Sequence, residues 1–238
     1  MARGKSLLDV LNKTRAVARI SLNAAHNLTA RDTQVIMLQQ EQERLWEDFD
    51  WPHLRVQRYI TLQAGQYLYD PPEDLDFDRI EKVEVNYAGL WYRLGAGITP
   101  DDYFLYDPKL DQRSWPARRV QVAENDQIEI WPMPDTNGDP TTQEGVLRLT
   151  GIRKLNPFVE DSDTADLDDR LLSLFVGGAI LAATGAKDAQ LKIQMANKLY
   201  ARLRGEQIKT TRFSMFSTTR YQPKQLREYV PRYIAPVS

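Results

Sequence analysis

The chain has 238 residues, 42% hydrophobic and 10% aromatic, at a net charge of −2; that composition excludes a disordered chain and suffices for one or two buried cores. It has no cysteine, which removes disulfides, thiolate metal ligands and thiol nucleophiles together. The longest apolar-rich run, 171–184, is shorter than the ~20 residues of a membrane span and predicts a buried core helix, while Met1-Ala2-Arg3-Gly4-Lys5 leads into a charged amphipathic stretch rather than a signal peptide.

Ser6–Ala25 is expected to be helical, because Leu7, Val10, Leu11, Val17 and Ala18 fall on one face. A second helix is expected from a cap at Thr29 to about Asp48, with Val35, Leu38, Leu45 and Phe49 on one side and Gln42 as a polar intruder. Trp51-Pro52 ends it, since the residue before a proline is pushed out of the helical region. The texture then turns strand-like. Leu54, Val56, Ile60 and Leu62 share a face; Tyr67–Tyr69, Val83–Tyr87, Val120 with Val122, Ile128 with Ile130, and Leu147 with Leu149 give further short strands. Pro132 and Pro134 after Ile130 suggest a strand end or sheet edge. Gly95–Ser114 has no period and is expected to be a loop or small hairpin. A third helix is expected after the capping run Asp161–Thr164, with Leu171, Leu174, Phe175, Gly178, Leu181 and Ala182 inward. Its Gly177-Gly178 costs about 1 kcal/mol per glycine against alanine, so a close helix approach should compensate, and Gly185 should end it. A fourth helix is expected over Asp188–Arg204, with Leu191, Met195, Leu199 and Leu203 on its buried side.

No chemistry-bearing motif survives comparison with its plainer reading. Asp74-Leu75-Asp76-Phe77-Asp78 opens like a calcium loop, but Arg79 sits where glycine is needed and Val85 where a bidentate glutamate is needed, so a surface turn is expected. Asp135–Asp139 fails in the same way. Gly95-Ala96-Gly97 lacks the rest of a dinucleotide fingerprint. The two histidines, His26 and His53, have no local partners of a triad or metal site. The expectation is no catalytic residue, no metal and no cofactor. The aromatic segment Trp91, Tyr92, Tyr103, Phe104, Tyr106 and Trp115 has acidic company. It reads as sheet packing or a protein-contact patch ahead of a sugar- or base-stacking surface; the stacking reading would make the chain a carbohydrate-active module.

Residues 206–238 carry six basic and two acidic residues, so this segment is +4 and the rest of the chain −6. Arg212, Phe213, Phe216, Arg220, Tyr221, Lys224, Arg227, Tyr229, Arg232 and Tyr233 lie in it without helical or strand period. It is expected to be an extended tail that docks on a partner protein through aromatic anchors and arginines. A nucleic-acid-binding module that stacks bases on the same rings is the alternative.

The order of elements resembles the head-to-tail adaptor (tail tubular protein A-like) proteins of short-tailed bacteriophages. The resemblance covers about residues 5–205 and rests on Leu45-Trp46, Trp51-Pro52, Leu62–Tyr69, Phe77–Val83, Ile128–Pro134 and Asp168–Leu172. It implies a non-enzymatic virion protein of the neck or tail, made in the host cytoplasm during assembly. The partners it implies are further copies in a twelve-fold ring, the capsid portal, a downstream tail nozzle or tail protein, and genomic DNA passing through the lumen without specific binding; no membrane is involved. The expected architecture is α+β: a four-helix bundle from 1–52 and 156–205, an inserted antiparallel β domain over 53–155, and an extended docking tail over 206–238. The tail would meet the portal, and the loops bearing Trp91, Tyr92, Tyr103, Phe104, Tyr106 and Trp115 the next tail component.

Overall fold

The computed structural model describes residues 3–23 and 28–208. They fall into two compact units: the first takes 3–23, 28–58, 72–81 and 150–208, and the second takes 59–71 and 82–149.

The first unit is built on α1 (Leu7–Val17), α2 (Leu28–Glu47), α4 (Asp169–Ala183) and α5 (Ala189–Ile208); α3 (Pro100–Leu105) belongs to the second. Ser6 caps α1 by accepting the Asp9 N–H. α1 stops at Val17, well before the expected Ala25. Arg19 takes a left-handed φ of 58°, and the Arg19 and Ile20 N–H groups bond the Ala16 and Arg15 carbonyls. These are the two reversed bonds of a Schellman end, with arginine where glycine is usual. α4 ends the same way on Gly185 (φ 70°), as its glycine predicts. The cap of α4 is Asp168, which accepts from the Arg170 and Leu171 N–H groups at 3.1 Å, and not the Asp161–Thr164 run. Asp163 instead closes its own loop on the Val159 and Glu160 N–H groups.

α4 is buried on several sides, at Leu171, Leu172, Leu174, Val176 and Leu181 among others, as a helix apolar nearly all round must be. It packs against α1, α2 and α5. The two glycines permit this. A Cβ on Gly177 would lie 2.6 Å from Val17 Cγ1 of α1, and one on Gly178 would lie 3.0 Å from Ile193 Cγ1 of α5. The core joins Leu7, Leu11, Leu38, Leu45, Trp51 and Leu171. Trp51 is 1% exposed and donates its indole N–H to the Leu45 carbonyl at 2.8 Å.

The strands are β1 (Arg55–Thr61), β2 (Leu68–Tyr69), β3 (Leu75–Tyr87), β4 (Leu90–Arg93), β5 (Gly95–Ala96), β6 (Arg119–Val122), β7 (Ile128–Trp131) and β8 (Val146–Arg153). They form two four-stranded sheets, β1-β8-β3-β4 and β2-β7-β6-β5. β3 pairs antiparallel with β4, with Val85 opposite Tyr92; β6 pairs antiparallel with β7, with Val120 opposite Ile130; β5 runs parallel to β6.

Several expectations are corrected here. The chain is not a four-helix bundle with an inserted antiparallel β domain. The described residues form an α+β fold of five helices and two four-stranded sheets. α4 is a hub for the other long helices rather than one of four equal neighbours. β1, β3 and β8 each contribute residues to both units, so the strand-rich segment is not a separable insert. The fifth helix, α3, and the parallel strand β5 lie inside Gly95–Ser114, which sequence periodicity leaves as irregular. β7 is an interior strand with all four residues buried, not an edge; Pro132 and Pro134 follow it in a segment whose Met133 and Pro134 carbonyls accept the Ser114 and Gly65 N–H groups. Asp74–Asp78 is the entry to the thirteen-residue β3 rather than a surface turn. On α5 half of the expected inward face holds. Leu203 is buried and Leu199 packs against the core, but Ala189 and Ala196 are buried while Leu191 and Met195 are exposed.

Candidate assembly surfaces

Among the described residues no group of three His, Asp or Glu side chains converges as a metal site requires. His53 is half-buried against the Asp166 carbonyl at 2.9 Å, and burial pulls its pKa below the ordinary histidine value. Asp74 is held by Arg58, whose hydrogen bonds push the carboxyl below its usual range. Asp139 accepts from the Thr141 N–H and Thr142 hydroxyl, an Asx turn. These are structural staples.

The predicted aromatic segment divides into two groups and one outlier, all within the second unit. Trp91 and Tyr92 lie on β4. The Trp91 ring sits 6.2 Å from that of Tyr59 and carries the Arg148 guanidinium 4.1 Å above it, and Arg148 is paired to Glu84. Tyr92 and Trp115 flank Tyr87, with ring centres 6.1 and 6.2 Å from it. Tyr103 and Tyr106 go to the other sheet. The Tyr103 hydroxyl donates to Glu129 Oε1 at 2.7 Å and accepts from Gln121 Nε2 at 2.9 Å. Burial and Glu129 together push its phenol well up. The Tyr106 carbonyl accepts the Trp131 indole N–H at 2.9 Å. Phe104, between them, is 89% exposed, and Leu105 beside it 62%.

The position of Phe104 is fixed by its neighbours. Thr99 and Asp102 form a capping box at the start of α3. Asp102 also bonds Arg119 at 3.2 Å. Tyr103 and Tyr106 anchor the helix at two further points. A phenyl ring held out on so short and so tightly tied a helix loses little freedom when a partner covers it, the property of an interface anchor. The sequence lists Phe104 among six aromatics but gives no sign that it alone is turned outward; the capping box Thr99-Pro100-Asp101-Asp102 was the available signal.

In the first unit, the motifs that carry the resemblance act as fasteners. Arg79 lies 4.5 Å over the Trp46 ring, donates to the Trp46 carbonyl at 2.7 Å and pairs with Asp50. Asp169 at the start of α4 is buried and paired with Lys13 of α1. The tail residues Arg212, Phe213, Phe216, Arg220, Tyr221, Lys224, Arg227, Tyr229, Arg232 and Tyr233 lie outside the described residues, as does His26. No helix among the described residues is long and apolar enough to cross a membrane.

No curated protein matches the chain. A family model described as SU10 adaptor protein matches residues 7–223, most of its length. Such a match carries a structural, non-enzymatic role, a place in the virion neck and association with portal and tail proteins. The chain therefore belongs to the SU10 adaptor protein family of phage structural proteins.

Proposed function

We propose that this protein is one subunit of a twelve-membered adaptor ring that joins the capsid portal to the tail and through which DNA passes at ejection. The family match over residues 7–223 carries the reading. In it, residues 206–238 dock on the portal through Arg212, Phe213, Phe216, Arg220, Tyr221, Lys224, Arg227, Tyr229, Arg232 and Tyr233. The β-rich unit meets the next tail component through Phe104 and its neighbours. The charge balance supports a lumen that does not grip DNA: residues 59–71 and 82–149 hold twelve acidic and seven basic residues, a net −5.

The test is co-assembly. Deleting 206–238 should leave a folded body, by circular dichroism, that no longer binds purified portal; undiminished binding by the truncated chain sinks the assignment of the tail. A second reading is favoured by the tail composition, +4 with five large aromatic rings: it binds nucleic acid. DNA affinity that falls steeply with salt and is lost on changing Arg220, Lys224 and Arg227 to alanine would favour it over portal docking.

A further inference from the structure

α2 and α5 are each twenty residues long, and each has a stripe of exposed residues at i, i+4, i+7 and i+11. On α2 the stripe is Ile36, Gln40, Glu43 and Glu47. On α5 it is Leu191, Met195, Lys198 and Arg202. On α2 it lies opposite the buried Gln34, Leu38, Gln42 and Leu45; on α5 it lies opposite the buried Ala189, Ala196 and Leu203. Ile36 and Leu191 are each 56% exposed and Met195 40%, so apolar area is left open on helices whose inner faces are already packed.

The two stripes match each other. Both run from apolar to charged in the N-to-C direction over about 16 Å of helix, and the charges are opposite. The α2 stripe has no base: Arg31 and Arg44 lie off it, engaged with Asp161 and Glu41. The α5 stripe has no acid, and Arg204 lies on the other side, 5.2 Å over Phe49. Two α5 stripes would set Lys198 and Arg202 against themselves, and two α2 stripes would oppose Glu43 and Glu47. Only the pairing of unlike stripes satisfies both the apolar and the charged halves. Both stripes belong to the same unit of one chain, so repeated use is head-to-tail, the kind of contact that closes a ring.

We infer that α5 of one copy packs parallel to α2 of the next, with Leu191 and Met195 against Ile36 and with Lys198 and Arg202 facing Glu43 and Glu47. This contact rests on the ring reading and specifies it.

The absence of cysteine makes a direct test possible. The full chain carrying both Ile36→Cys and Met195→Cys is treated with a short bis-maleimide and run on a denaturing gel; circular dichroism checks its fold. A ladder of dimer, trimer and higher species is expected. Each single variant alone should stay monomeric, and an equal mixture of the two should give dimer only. Lys198→Glu should weaken self-association about tenfold or more, and Glu43→Lys added to it should recover most of the loss. No ladder from the double variant, or dimers from either single variant, overturns the contact. Native mass spectrometry of the unmodified chain separates the two failures. A closed ring without the ladder removes this contact and keeps the ring, whereas a chain that stays monomeric without the ladder at every concentration, both alone and with purified portal, removes both.

Discussion

The helical unit and the β-rich unit use aromatic side chains in opposite ways. In the first, Trp51 is sealed in the core, its N–H spent on the Leu45 carbonyl and its ring edge-on to Phe49 at 5.2 Å. In the second, Tyr103 is tied down by its hydroxyl while Phe104, the next residue, stands in solvent. One arrangement gives stability by removing apolar surface from water. The other forgoes that gain at Phe104 and holds the exposed ring on a stiff support. The difference separates a ring that holds the fold together from one that adds nothing to it, though both look alike in the sequence.

Three substitutions and one titration sharpen that contrast. Trp51→Ala should destabilise the helical unit by about 3–5 kcal/mol in urea unfolding, since it opens a cavity in the core. A loss under about 1 kcal/mol would mean that the ring is not a keystone. Tyr103→Phe should cost about 1–3 kcal/mol, because Glu129, buried on β7, loses its hydroxyl donor and keeps only Gln121. The variant should also weaken binding of a tail component by freeing α3, whereas unchanged stability would show the Tyr103–Glu129 bond to be incidental. The third effect depends on pH. His53 lies against the Asp166 carbonyl, with Arg3, Arg153 and Asp166 as the charges near it, and its other ring nitrogen is buried without a partner. Its folded pKa is below the unfolded value, so the unfolded chain binds the proton more readily. The stability contributed by neutral His53 is complete above about pH 6.5 and is lost as pH falls from there through the lowered folded value. The wild-type urea midpoint should therefore drop between pH 7 and pH 5.5 by more than that of His53→Gln; equal slopes would sink the assignment. The smallest expected effect is Phe104→Ala, which should leave stability within about 0.5 kcal/mol while weakening tail-component binding.

The legible parts of the fold are those written in local chemistry. Gly185 announces the left-handed end of α4, while Arg19 makes the same turn on α1 without a glycine to mark it. Gly177-Gly178 foretells a close approach of helices but not which ones; that they are α1 and α5 is a matter of packing. The strand alternation of Ile128 and Ile130 is correct, yet the prolines after them suggest an edge, and β7 lies between β2 and β6. An edge and an interior strand differ only in what pairs with them, and no local pattern carries that. The site residues divide in the same way. Trp91 and Tyr92 lie on β4 and Trp115 packs on Tyr87 of β3, a division the sequence does not show; nor does anything in a run of Asp, Tyr and Phe distinguish the anchored Tyr103 from the projecting Phe104.

By itself, the sequence determined the presence of four long helices, the rough extent of α2, α4 and α5, the strand-rich middle, the lack of thiol chemistry and the motifs by which the chain joins an adaptor family. Each depends on period, caps or composition, properties of residues a few positions apart. Tertiary structure alone decided that α4 is the hub, that three strands contribute to both units, and that the Leu191–Met195 face of α5 is turned outward. The last goes with the packing at Gly178 of α4. Its missing side chain lets Ile193 and Lys192 of α5 come close, and that turns Ala189 and Ala196 inward and leaves Leu191 and Met195 exposed. The face turned inward is set by the shape of its neighbour, and the other stays exposed.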